Sequence, residues 1–315
     1  MALAHPVRRL AFWTEALKLP VEKRLGPAPP GLVEYLTLDN VVNGFPELPR
    51  SAKLSEDFLA DVRAAIEELP PAVKRALGKD FAGLYFVDDL GGTGYTDYIH
   101  DGERLAGGYI VLDAAVLAKR RANEWATWKE STPFAPAPPF ALEARIAVPA
   151  EDNRKNAIQY ILLHELGHVM SIGAKVHPVW TLQPNKVPAS DEFPYFRLSW
   201  RVDRDKNRYV SIFDGAFDKR ASVVYYLGAK LRASDMLETY RELEATNFPT
   251  LYAATHPADD FAEAFANYVH VVLMKKPFTI EIRERDRIAK IYGACWEEAR
   301  CRAKRRVLEQ LLAAP

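Results

Sequence analysis

The sequence predicts an α+β fold built around one long helix and one acidic helix start. Three observations carry this reading. In residues 156–170, Ile158, Ile161, Leu162, Leu166, Val169 and Met170 recur at helical spacing, giving a broad buried face. Residues 83–87 (Gly-Leu-Tyr-Phe-Val) and 108–112 (Gly-Tyr-Ile-Val-Leu) are short apolar runs of strand type. In residues 252–268, Pro257, Asp259 and Asp260 precede an alanine- and aromatic-rich run, which suits the first turn of a helix.

Taken in order, residues 1–25 look helical and end at the loop Gly26-Pro27-Ala28-Pro29-Pro30-Gly31. Residues 55–66 form an amphipathic helix with Ser55 at the cap, Pro70-Pro71 punctuates it, and residues 72–77 begin another. Residues 1–80 therefore read as a helical N-terminal subdomain and 81–315 as a second domain, with a long insertion at 175–250. Between the two strand signals lies Asp88-Asp89-Leu90-Gly91-Gly92-Thr93-Gly94-Tyr95. A phosphate-binding reading fails there, because no Lys-Ser/Thr follows and Asp97 stands where a last glycine belongs. A connecting loop is expected instead. Residues 108–112 are the candidate for a strand at the rim of a cleft, with residues 144–148 competing. Asp152 or Asn153 can cap the long helix. Residues 133–139 read as an extended surface loop. Residues 280–312 read as a charged helical tail packed by Ile288, Ile291, Trp296, Val307 and Leu311.

With 315 residues, 49% of them hydrophobic, the chain can bury a large core. Its 42 basic and 42 acidic residues balance, so nothing points to nucleic acid or a membrane as partner. The run Arg300, Arg302, Lys304, Arg305, Arg306 is flanked by glutamates and reads as a solvated helix face. Cys295 and Cys301, placed on one helix, would point to different faces, so reduced thiols and a cytoplasmic location are expected. Residues 1–19 carry charges among their apolar residues and lack a signal-peptide core.

The long helix contains His164-Glu165-Leu166-Gly167-His168, an H-E-x-x-H motif. Positions i and i+4 stand one above the other on a helix, so both imidazoles can reach one metal ion. Glu165 can serve as general base on a metal-held water. The motif points to a zinc hydrolase, most often a metallopeptidase, with one Zn2+ per chain. The plainer alternative is two histidines that only pack or hydrogen-bond. A catalytic zinc usually takes three protein ligands. Ala174 stands where the longer motif has its third histidine, and His177 has the wrong spacing. The best source of a third ligand is the 252–268 segment, where Asp259 and Glu263 are four apart and share a face. One carboxylate would bind metal, and the other would accept the free ring N–H of a ligating histidine.

That segment resembles the zinc-binding helices of the gluzincin metallopeptidases, in particular the catalytic domain of anthrax lethal factor and related toxin-type peptidases. Those have a tyrosine, a glutamate ligand seven residues later, then Phe-Ala-Glu-Ala-Phe. Here Tyr252 precedes Asp259 by seven, and Phe261-Ala262-Glu263-Ala264-Phe265 follows. The resemblance implies His164, His168 and Asp259 as zinc ligands, Glu165 as base, Tyr252 as transition-state donor and Glu263 as the buttress of a histidine. It also implies a zincin-like fold over residues 81–315 and a peptide or protein substrate. The family ligand is Glu, and Asp259 is one methylene shorter. Either the helix comes closer, or Asp260 or Glu263 serves instead. His256 is a second candidate oxyanion donor. Two other functions fit these residues: a zinc hydrolase of a non-peptide amide, and a zincin-fold binding or regulatory module with little catalysis. Glu165 favours activity, and the change to Asp259 favours the binding module.

Overall fold

A computed structural model describes residues 4–77, 80–188 and 192–313, so the first three residues of the 1–19 stretch lie outside it. In chain order the α-helices are α1 (Leu10–Leu17), α2 (Pro30–Asn43), α3 (Glu56–Glu67), α4 (Pro71–Leu77), α5 (Ala114–Ala118), α6 (Ala122–Ser131), α7 (Arg154–Ser171), α8 (Met236–Glu244), α9 (Pro257–Tyr268) and α10 (Arg302–Ala313). The strands are β1 (Leu25–Pro27), β2 (Arg50–Ser51), β3 (Phe81–Asp88), β4 (Gly94–Asp101), β5 (Arg104–Asp113), β6 (Phe134–Ala135), β7 (Phe140–Arg145), β8 (Trp200–Asp203), β9 (Arg208–Ser211), β10 (Leu231–Arg232), β11 (Thr279–Glu284) and β12 (Arg287–Gly293). This mixture of helix and strand is compatible with the α+β class. The chain divides into two compact units. The first is the chain up to Arg121 with Asn153–Gly173, and the second is Ala122–Asp152 with the chain from Ala174 on.

In the first unit the sheet order is β1-β3-β5-β4, with β2 antiparallel to β3. β1, β3 and β5 are parallel, and β4 is antiparallel to β5. β3 and β5 read as near-continuous apolar runs because both their faces are covered. Tyr109 and Val111 join a core with Trp13, Leu32, Tyr35 and Leu36. Trp13 stacks on Tyr109 with ring centroids 4.7 Å apart. The alternate residues Ile110 and Leu112 are buried on the other face, against which α7 packs. α7 comes so close that a Cβ on Gly108 would stand 2.9 Å from Ile172 Cδ1. Residues 108–112 thus lie inside the sheet, between β3 and β4, and are an interior strand rather than a rim. The strand at the sheet's end is β4, which the sequence reading left unrecognised. Ser55 stands at the N-cap position of α3 but makes no side-chain cap bond.

In the second unit β12, β11 and β7 form an antiparallel sheet in that order. β6 pairs β10 in parallel, and β8–β9 is a hairpin. Thr127 on α6 braces β7, its hydroxyl bonding both the N–H and the C=O of Ala144. Of the competing rim candidate, residues 144 and 145 end β7, which lies at the end of its sheet. The 175–250 stretch contributes core here, with Tyr195, Phe196, Trp200, Phe217 and Tyr240 buried.

Three expectations for the C-terminal region are corrected. Residues 280–312 are not one helical tail. Thr279–Glu284 and Arg287–Gly293 pair as a hairpin, so Ile288 and Ile291 are 47% and 55% exposed rather than packed. The physical reason is the alternation Ile280-Glu281-Ile282, which has a period of two. Lys304 is not on a solvated face: it is fully buried and paired with Asp260. Cys295 and Cys301 are not reduced thiols. Cys295 lies in the turn after β12 and Cys301 in a 3-10 turn ahead of α10, so no single helix holds them apart, and they form a disulfide. Disulfides belong to oxidising compartments, so the cytoplasmic expectation loses that support. No helix of the described residues is long and apolar enough to cross a membrane.

Candidate metal centre

α7 is set at its start by Asn153, whose side chain accepts from the Asn156 N–H at 3.0 Å. Asp152 instead accepts from the Asn123 N–H. Beyond the first two residues, every α7 residue is buried except His164 and His168. Past its first turn the helix is least buried at its two imidazoles, whose ring centroids are 5.0 Å apart.

Glu165 is 7% exposed and turns to β4. Thr96 Oγ1 donates to its Oε2 at 2.6 Å. Its carboxylate also lies close against Gly94, where an added Cβ would clash with Oε1. Only a glycine allows that approach. Thr96 and Gly94 escaped the sequence reading because β4 did. The Asp101-Gly102 pair, with Gly102 at φ +62°, is the hairpin turn signal that could have found the strand.

α9 is likewise buried along its length, and Asp259 is its one residue that is not. Asp259 stands in the first turn, where a carboxylate suits the helix dipole. Asp260 is fully buried and turned elsewhere: it accepts from Tyr195 Oη, Trp200 Nε1 and Lys304 Nζ. Glu263 is buried, with Oε1 accepting from Lys129 at 2.8 Å and Oε2 from Thr250 at 2.8 Å. Lys129 also stands 3.4 Å from Glu130. Burial alone would lower the Lys129 pKa, but Glu263 and Glu130 outweigh it and raise it. Lys129 Nζ lies 4.8 Å from the ring centroid of Tyr252, a cation–π contact. Tyr252 opens a short 3-10 turn and packs on Tyr225 at 4.6 Å. His256 caps α9, its Nδ1 accepting from the Ala258 N–H at 3.2 Å. Lys129 lies 134 residues from Glu263, and no local signal pairs the two.

His164 and His168 on α7 and Asp259 on α9 each offer one atom of a type that can ligate a metal ion. Two imidazoles and a carboxylate are a donor set that zinc accepts. Comparison with protein-family models, with curated proteins and with solved structures gave no match for this chain.

Proposed function

We propose that the chain is a zinc-dependent peptidase with a zincin-like fold. His164, His168 and Asp259 hold one zinc ion, and Glu165 is the general base. One observation carries the reading: past the first turn of α7, and along the whole of α9, the residues that would bind metal are the less buried positions of otherwise buried helices.

Zinc, when bound, supplies a Lewis acid and acidifies water. The Glu165 carboxylate takes a proton from the attacking water and passes it to the leaving amine. Thr96 holds that carboxylate in place. The Tyr252 hydroxyl donates to the developing oxyanion, with Lys129 fixing its ring from below. Glu263, held by Lys129 and Thr250, steadies a ligating imidazole.

The test is elemental analysis of untagged protein, with about one zinc per chain expected. Glu165→Gln should keep that zinc and lose peptide turnover by roughly a thousandfold. A chain that holds no zinc even after zinc is added overturns the reading. Turnover of small amides but of no peptide in a library would move the activity to the non-peptide hydrolase.

A further inference from the structure

In the second unit the chain makes a turn that its residues do not favour. The Leu227 N–H donates to the Tyr225 carbonyl at 2.8 Å, an i to i+2 bond. Tyr226 between them has φ +66°. A γ-turn with a positive φ at its centre is the rare, strained form. Among the described residues other than glycine with positive φ, Tyr226 is the one aromatic, and a bulky side chain is a true outlier there.

Strain of this kind persists only where the surroundings hold it. Here they hold it on both sides. Tyr225 is buried, and its hydroxyl donates to Glu130 Oε2 at 2.8 Å. Downstream, the Leu231 N–H donates to the Pro133 carbonyl at 3.1 Å, and β10 pairs with β6.

The turn presents an apolar surface. Tyr226 and Leu227 are 39% and 70% exposed. The Tyr226 ring stands 5.5 Å from that of Trp128 on α6 and 6.2 Å from that of Tyr252. Trp128 and Tyr252 are themselves half-buried. An exposed leucine alone is ordinary; one held out by a strained turn, beside the candidate oxyanion donor, is not. Lys129, the charge under the Tyr252 ring, is already paired with Glu263 and Glu130. The surface thus offers ring faces and methyl groups rather than a charge, which suits an uncharged apolar group.

We propose that Trp128, Tyr226 and Leu227 form a subsite for an apolar side chain of the peptide substrate. The word substrate rests on the peptidase reading, but binding of the side chain can be read without turnover.

The probe is N-acetyl-leucinamide against N-acetyl-asparaginamide, which keeps nearly the same shape without the methyl groups. Each is titrated into the full chain and followed by ligand-observed NMR. The leucine compound should bind about tenfold tighter, the factor that burying such a side chain supplies. Tyr226→Gly is the decisive variant. Glycine accepts the turn without strain, so the melting temperature should hold or rise while the leucine preference disappears. Tyr226→Phe keeps the ring and should keep the preference. Leu227→Asn changes an exposed side chain and should weaken the preference about threefold. Equal binding of the two compounds, no binding of either, or a preference that survives Tyr226→Gly overturns the proposal. A large fall in melting temperature in Tyr226→Gly also overturns it and makes the turn structural. A dimer in sedimentation that Leu227→Asn dissociates gives the surface to a second copy of the chain instead. Cleavage of peptides is scored separately. Cleavage with no apolar preference at any position overturns the subsite and leaves the peptidase. Leucine preference with no peptide cleaved overturns the peptidase and supports the apolar site alone.

Discussion

Thr96 donates its hydroxyl to Glu165 Oε2 at 2.6 Å, tying the candidate base on α7 to the strand at the end of the sheet. A carboxylate that must receive a proton along one direction gains from a fixed donor on its other side. Thr96 touches no candidate ligand through this bond, so it acts as a positioning residue.

Thr96→Val keeps the shape and removes the donor. Turnover should fall about tenfold with zinc content unchanged, and Thr96→Ser should restore most of it. A rise in KM at constant kcat would instead assign Thr96 to substrate binding.

Gly94→Ala tests the same relationship from the backbone side. The new methyl would clash with Glu165 Oε1, so the flexible glutamate must move. Loss of turnover by roughly a hundredfold is expected, since a misplacement near 1 Å can cost that much. Zinc content and melting temperature should barely change. An active Gly94→Ala enzyme would show that Glu165 does not work from this position.

α7 was legible because two signals coincide on it, the helical spacing of its apolar residues and the H-E-x-x-H motif. β4 was not, because its buried positions, Asp97, Tyr98 and Ile99, are consecutive and include a charged residue. Asp97 is buried against Tyr35 and Arg8, so the strand shows no apolar alternation. The β11–β12 hairpin was hidden by isoleucines on its solvent side, which resembled a helix stripe. The ion pair between Lys129 and Glu263 spans 134 residues and has no local signature. Asn153 could be read as a cap because capping is a local interaction; the partner of Lys304 could not.

Acid should destabilise the fold above the range where carboxylates titrate. Burial pulls His177 and His270 down to about 4 in the folded chain, against ~6.5 when unfolded. A depressed folded pKa means that the stability is fully present above the unfolded value. It drains as pH falls from there toward 4. Each histidine contributes on the order of 3 kcal/mol across that window. Denaturant melts at several pH values should show it, and His177→Gln should flatten the slope. Stability constant from pH 7.5 to 4.5 would contradict the assignment.

The disulfide gives a further prediction. Cys295 and Cys301 are six apart and both fully buried. Closing so short a loop stabilises by about 2 kcal/mol. Reductant should lower the melting temperature accordingly. Unfolded protein should take up alkylating reagent only after reduction, and uptake at both cysteines without reductant would return them to thiols.

The sharpest discrimination is among the three carboxylates of α9, because each sits in a different environment. Asp259 is the one α9 residue that is not buried, so Asp259→Ala should cost stability no more than about 1 kcal/mol. Its zinc content should collapse. Asp259→Glu, longer by a methylene, should retain zinc. Asp260→Ala reverses the pattern. It leaves Lys304 buried without its carboxylate, which costs about 3–5 kcal/mol, while folded chains keep their zinc. Glu263→Ala should do some of both, because it strips Lys129 of its nearest partner and loosens the support of a ligand. Zinc per chain and melting temperature, measured on the same samples, separate the three. Zinc retained in Asp259→Ala but lost in a folded Glu263→Ala would make Glu263 the ligand.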